Sequence, residues 1–311
     1  MTPGHEAILH SAALIDLSRR GRIRVAGEDR ARLLHAMATN HVEQMKPGDG
    51  IYTFFLNAQG RILADAYVLC FEDHFLLDTE PGTRPTLLEH LDRYIIADDV
   101  TVEDETDETF SLGLEGPQSS DVAARCGLPA PHHRFSHVRW GDLSAASISA
   151  TGAQAVRIYG AIQSKDEAIA VLEGAGAIAA SAEDAERVRI ENFVPRYGCE
   201  ITDHTLPQET QQMHAMHFQK GCYLGQEIVE RIRSRGHVNR MLMGFRIEPP
   251  IAPPQPGTKL MVEGQPAGEV TSSTVSNSVV FGLAYVRVPG AKSGAMAEID
   301  GQPAALFPPH D

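Results

Sequence analysis

The sequence predicts an α+β chain that ends in a small all-β barrel. Three observations carry this. Through residues 1–240, strand-like alternation is interrupted by short segments of helical spacing. After Arg240 the texture changes to short alternating runs punctuated by Gly and Pro, the mark of a compact all-β module over 241–311. The chain has 311 residues with 42% hydrophobic content, enough for about two domains with a sizeable core.

The elements follow in order. Residues 22–26 alternate as a strand that Gly27 ends, and Asp29 is placed to cap a helix with the apolar stripe Leu33, Leu34, Met37 and Ala38. A turn at Pro47–Gly50 opens a meander: residues 51–56, the turn 57–60, residues 62–71, a second turn, and residues 75–78. Residues 86–96 have helical spacing, and 100–102 return as a strand. The middle repeats the theme, with a strand at 110–114, a helix at 117–126 and strands near 138, 143–148 and 155–159. Helices follow at 166–172 and 182–191. Short strands at 242–247, 259–262, 268–274, 279–286 and 297–299 build the C-terminal module. Pro249, Pro250, Pro253 and Pro254 stiffen its entry.

Charge narrows the function classes. Twenty-seven basic against 41 acidic residues give −14, so non-specific nucleic-acid binding is not expected. The acid concentrates in 98–108 and reads as a solvated strand end and turn. Lys220, Arg231, Arg233, Arg235, Arg240 and Arg246 form the one basic stretch. No apolar run approaches the ~18 residues of a membrane span. The first residues have neither a basic nor a long apolar region, so no secretory signal is expected. Four scattered cysteines, with no C-x-x-C pair, argue against a disulfide framework and for a reducing cytoplasm.

Few constellations carry chemistry. The densest runs from Lys220 through Gly221, Cys222, Tyr223, Leu224, Gly225 and Gln226 to Glu227, with Arg231, Arg233 and Arg235 behind it. A thiol beside lysine and upstream of arginines fits the electropositive setting of a reactive cysteine. It equally fits a small hydrophobe packed in a turn. Cys70, Cys126 and Cys199 lack such neighbours and read as packing residues. His132, His133 and His137, and His214 with His217, form no evident metal-ligand frame. Asp65 is an acid inside an otherwise apolar strand, and spacing alone leaves its face open. Glu191 ends a helix beside Asn192, where an acid can point into a cleft.

The 220–227 segment, with Arg231, Ser234, Arg235, Gly236, Asn239 and Arg240 behind it, resembles the signature of the YgfZ-type folate-binding proteins. These lie within the superfamily of the glycine-cleavage T-protein, an aminomethyltransferase. The likeness runs over nearly the whole chain, through Asp16–Ser18, Gly27–Asp29, Thr39–Asn40, Asn57–Leu63, Gly116–Pro117, Arg189–Glu191 and Tyr197–Glu200. It implies two interleaved α+β subdomains and a C-terminal β-barrel around a central channel for tetrahydrofolate or a one-carbon-substituted folate. It implies Glu191 at the pterin, with Lys220, Tyr223, Arg231 and Arg235 as further folate contacts and Cys222 as an essential thiol.

Two departures from the T-protein matter. Its hairpin carries two successive aspartates, the first of which is credited with orienting the one-carbon unit; here the pair reads Ala64 and Asp65. Successive strand residues face opposite sides, so Asp65 would need a register shift to take over. The T-protein's Tyr-Thr-Gly-Glu element is eroded to Ala150–Ala153. With the added thiol, these departures favour the YgfZ branch and the absence of aminomethyl transfer. That branch implies service to iron–sulfur proteins (assembly, maturation or repair) through client contacts, with an indirect effect on tRNA modification. Aminomethyl transfer, a related demethylation, and a purely docking folate-binding module are the competing expectations.

Overall fold

The computed structural model describes residues 1–236, 238–248, 252–288 and 290–310, without the side chain of Arg235. Two α+β layers and a closed six-stranded barrel make up the chain. The first layer is an antiparallel sheet in the spatial order Gly50–Leu56, Ile62–Cys70, His74–Thr79, Gly21–Ala26 and Thr101–Asp104. Helices Arg30–Met37 and Arg84–Arg93 cover one face, burying Leu34, Met37, Leu87 and Leu91 against Ala64, Ala66 and Val68. The opposite face carries Tyr52, Asp65, Tyr67 and Asp78 and is turned towards the second layer.

The second sheet runs Ile178–Ala180, Ala13–Asp16, Thr109–Glu115, Ala155–Ala161, Leu143–Ala146 and His137–Trp140. Helices Ser119–Arg125 and Lys165–Gly174 close one side. Helices Pro3–His10 and Ala182–Glu191 pack on the other through Ala7, Ile8, Ala185 and Val188. The chain starts in this sheet with Ala13–Asp16, leaves it for the whole first sheet, and returns at Thr109. The layers are therefore interleaved, as the resemblance implied. Leu69 and Leu76 of the first sheet meet Ala146 and Tyr159 of the second in one apolar seam.

The barrel closes through Arg240–Ile247, Val279–Arg287, Gln265–Ser276, Lys259–Val262, Met296–Ile299 and Gln302–Phe307. Closure removes the free sheet edges that short strands would otherwise expose. One buried carboxylate ties it to the α+β layers. Glu200 accepts from Arg189 at 2.9 Å and from Ser272 Oγ at 2.5 Å, while its carbonyl accepts from Tyr285 Oη at 3.0 Å. Gly244 is pressed against the Phe193 ring, where a Cβ would lie 2.4 Å from a ring carbon.

Several elements escaped the sequence reading. Helix Pro3–His10 had ordinary signals, Thr2 accepting from His5 N and proline at its start. Strands Ala13–Asp16, Ile178–Ala180 and Gln302–Phe307 are short and gain their form from pairing. Helix Gln226–Arg235 sits between Gly225 and Gly236, both at positive φ. Asp29 is a correction: it precedes helix Arg30–Met37 but makes no capping bond there. Its carboxylate instead accepts from Asp99 N at 3.0 Å, so it joins the helix entry to the next strand. Pro249 and Pro250 of the expected stiff entry lie outside the described residues, as do His237, Ile251, Pro289 and Asp311. Among the described residues no helix is long and apolar enough to cross a membrane.

Candidate functional site

A cavity of about 280 Å³ lies between the helix-free face of the first sheet and the Ala182–Glu191 side of the second. Strand registers decide what enters it. Tyr52 stands opposite Tyr67, Phe54 opposite Asp65, and Tyr67 opposite Asp78. Residues opposite one another share a face, so Tyr52, Asp65, Tyr67 and Asp78 all point the same way. Ala64 points the other way, into the apolar layer under the helices.

Of the pair Ala64 and Asp65, Asp65 faces the cavity, and the pairing with strand Gly50–Leu56 shifts by one residue just before it, between Ile62 and Ala64. Asp65 is nearly fully buried, and its Oδ2 accepts from Tyr52 Oη at 2.6 Å. Its Oδ1 is buried with no hydrogen-bond partner. Burial pushes the carboxyl up to about 6, with Glu80 adding repulsion, against the lowering pull of the Tyr52 bond and Arg20.

Asp78 is the contrasting neighbour. Arg20 Nε donates to its Oδ1 at 2.5 Å, and Arg157 Nη1 and Tyr159 Oη donate to Oδ2 at 3.0 and 2.7 Å. Burial alone would raise this carboxyl, but the guanidiniums of Arg20 and Arg157 outweigh it and hold it at about 2. Arg20 also pairs with Glu80 at the cavity wall. On the facing helix, Glu186 is bridged to Arg189 and, at 2.8 Å, to Arg196; all three line the cavity. The loop at Ser149 and Ala150 completes the wall. Buried Glu115 shapes it by accepting from Ser149 Oγ at 2.8 Å, Ala150 N at 2.6 Å and Thr151 N at 3.2 Å.

A second chamber of about 420 Å³ adjoins the first, sharing Tyr52, Tyr67, Ser149, Val194 and Pro195. Its wall is aromatic. Tyr52 lies 5.1 Å from Tyr67 and 5.4 Å from His214, and Phe135 lies 5.6 Å from Tyr67 and 5.8 Å from His214, between ring centroids. Arg134 lies at this chamber, its guanidinium 4.7 Å from the Phe135 ring centre. The first chamber is lined mainly by charged groups, the second by more rings, and Tyr52 and Tyr67 stand between them.

The residues singled out in the sequence distribute unevenly around this space. Asp65 lines it. Glu191 does not; its Oε1 pairs with His5 Nε2 at 2.7 Å, where helix Ala182–Glu191 meets helix Pro3–His10. Five residues along a helix turn the side chain through about 140°, so Glu186 faces the cavity and Glu191 faces away. Lys220 is also elsewhere. Its Nζ donates to the carbonyls of His35, Ala38 and Asn40 at 2.5, 2.6 and 2.8 Å, closing the C-terminal end of helix Arg30–Met37. Burial pushes this ammonium down to about 7.

Tyr223 packs with Phe54, Leu56 and Phe218 in a cluster beside the cavity and lines neither chamber. Arg231 is exposed and bound to Glu227 at 3.0 Å. The side chain of Arg235 lies outside the described residues. Cys222 is exposed on the loop ahead of helix Gln226–Arg235 and lines neither chamber. The sequence reading missed Arg20, Tyr52, Glu80, Arg157 and Glu186. Arg157 carried the same signal as Asp65, a charged residue inside an apolar strand, and is fully buried.

Comparison with known proteins agrees with this architecture. The GCVT N-terminal domain family matches residues 2–220, and the glycine cleavage T-protein C-terminal barrel domain matches residues 240–305. An aminomethyltransferase of Rubrobacter xylanophilus is 30% identical over 91% of this chain and 78% of its own length. A chloroplastic protein of Arabidopsis thaliana, provisionally named a transferase, is 29% identical over 93% of this chain and 68% of its own. The crystal structure of the glycine cleavage system aminomethyltransferase T from Bartonella henselae shares the fold, with a TM-score of 0.87 at 22% identity, covering 98% of this chain and 87% of that one. With the N-terminal domain matched over well above half its length and the barrel matched after it, the chain belongs to the GCVT family, the aminomethyltransferase superfamily of the glycine-cleavage T-protein.

Proposed function

We propose that this chain binds tetrahydrofolate, or a one-carbon-substituted folate, in the two-chambered cavity and acts in folate-dependent one-carbon chemistry. The observation that carries the reading is the Asp65 carboxylate, whose Oδ1 is buried at the cavity wall without a partner. A buried carboxylate oxygen without a partner is costly, and a ligand can supply the donor. A reduced pterin carries several N–H donors, and a flat p-aminobenzoyl group suits a wall of Tyr67, Phe135 and His214. Bound there, the folate would supply a one-carbon unit borne on nitrogen. Asp65 would hold the ring that carries it, and Arg20, Arg157 and Tyr52 would hold the buried carboxylates in place. Glu186, rather than Glu191, is the helix carboxylate on the cavity side.

Two finer readings share this site. Relatives named aminomethyltransferases, together with Asp65 in the cavity, favour transfer of an aminomethyl carbon. The 220–227 motif favours the YgfZ-type role in iron–sulfur protein assembly or repair, with Cys222 exposed outside the cavity. Calorimetry with tetrahydrofolate tests the shared reading: Asp65→Ala is expected to weaken binding at least tenfold, and unchanged affinity overturns it. Folate-dependent ammonia release from an aminomethylated lipoyl carrier then separates the two. Its presence selects aminomethyl transfer. Its absence, with iron–sulfur enzyme activity in cells lost in Cys222→Ser, selects the iron–sulfur role.

A further inference from the structure

We infer that Tyr52 is the positioning residue for the cavity carboxylate: its phenol ties down one oxygen of Asp65 and so delivers the other, unpaired, to the ligand. The inference rests on the folate reading for its ligand but not for its geometry. Tyr52 and Asp65 sit diagonally on neighbouring strands, Tyr52 opposite Tyr67 and Asp65 opposite Phe54. The Tyr52 Oη to Asp65 Oδ2 distance is 2.6 Å, and among the described residues Oδ1 has no partner. A carboxylate with one oxygen fixed cannot rotate to satisfy both in the same bond, so its orientation is set before any ligand arrives.

The donor is held in its protonated form. Burial raises the Tyr52 phenol well above its ordinary range, and the nearby Asp65 charge adds to this. Its ring is fixed by contacts with Phe54, Tyr67 and His214 at 5.6, 5.1 and 5.4 Å. The groups facing Asp65 from the surrounding elements are Tyr52 and Tyr67 on its own sheet, Glu80 and Arg20 at the cavity wall, and Tyr197 from the segment before the barrel. Glu80 opposes ionisation of Asp65, whereas Tyr52 and Arg20 favour it. Because Tyr52 lies on the wall shared by both chambers, a ligand in the aromatic chamber also bears on the residue that sets Asp65.

The test is Tyr52→Phe, which keeps the ring and removes only the hydroxyl. Carbon-detected NMR of the Asp65 carboxyl in the ligand-free protein reads the effect directly. Its titration midpoint is expected to rise by about one pH unit, since a hydrogen bond to the charged form is lost. Tyr67→Phe, whose hydroxyl reaches Ser149 O at 3.4 Å, serves as control and should leave the midpoint in place. Tetrahydrofolate titrations between pH 5 and 8 should show the acid limb of binding moving upward by the same amount in Tyr52→Phe. An unmoved Asp65 midpoint in folded Tyr52→Phe overturns the inference. A moved midpoint without tetrahydrofolate binding to the wild-type protein sustains it and overturns the folate reading instead. If Tyr52→Phe does not fold, 3-fluorotyrosine placed at position 52 alone supplies the second measurement. A stronger phenol donor should lower the Asp65 midpoint, and an unchanged midpoint again overturns the inference.

Discussion

The cavity wall and the 220–224 loop teach opposite lessons about where chemistry is written. The loop carries the densest motif in the sequence, yet its lysine spends its three donors on backbone carbonyls and its thiol faces solvent. The wall carries no dense motif, yet it gathers Arg20, Asp65, Glu80 and Arg157 from separated segments around one space, with buried Asp78 bound to both arginines. Within that wall the contrast repeats at finer scale. Asp65 and Asp78 are buried on adjacent strands of one sheet, but one is pushed up to about 6 and the other held at about 2. Burial acts on both in the same direction; two guanidiniums reach Asp78 and one phenol reaches Asp65. By the function proposed above, Asp78 holds the layers together and Asp65, with one oxygen unpaired, is the carboxyl offered to a ligand.

The largest expected effect breaks the Asp78 side of that contrast. Asp78→Ala leaves buried Arg157 without its charged partner and Arg20 with Glu80 alone, and should cost about 3–5 kcal/mol in urea denaturation. A loss below about 1 kcal/mol would mean that the pair does not hold the two layers together. Asp65→Asn should do the reverse. The folded carboxyl titrates above the ordinary 3.8, so wild-type stability declines as pH rises from about 3.8 to about 6 and stays lower above that. The variant lacks the decline and should be more stable at pH 7 by about 1–3 kcal/mol while losing tetrahydrofolate affinity. Asp78 gives the opposite slope at lower pH, its stabilisation being lost as pH falls from 3.8 towards about 2. Acid denaturation of the two single variants separates these windows.

Smaller effects sharpen the loop side. Lys220→Met removes three bonds at the end of helix Arg30–Met37 and should cost about 1–2 kcal/mol, with tetrahydrofolate affinity unchanged in calorimetry. A tenfold loss of affinity would place Lys220 in the ligand site after all. Cys222→Ser should change stability by no more than about 0.5 kcal/mol and leave folate binding intact, because the thiol is exposed and outside both chambers. Thermal melts and the same calorimetry check both statements.

The sequence by itself determined the local elements and their order. Alternation marked Gly21–Ala26, Ile62–Cys70 and Val279–Arg287, helical spacing marked Arg84–Arg93 and Ala182–Glu191, and Gly and Pro marked the turns between the barrel strands. The quoted landmarks identified the superfamily and, with it, the interleaving. Local signals are written in neighbouring residues, so one chain suffices to read them. Which side chains meet was decided only by tertiary structure. Glu191 and Glu186 differ by about 140° in direction, and nothing in their spacing says which of them faces the cavity. Ala64 and Asp65 differ by one strand position, and the face each takes depends on which side helix Arg30–Met37 covers. Arg157 finds Asp78 across 79 residues and between two sheets. Its identity as a buried partner exists only once both sheets have folded, because burial and pairing are properties of the packed layers rather than of either strand.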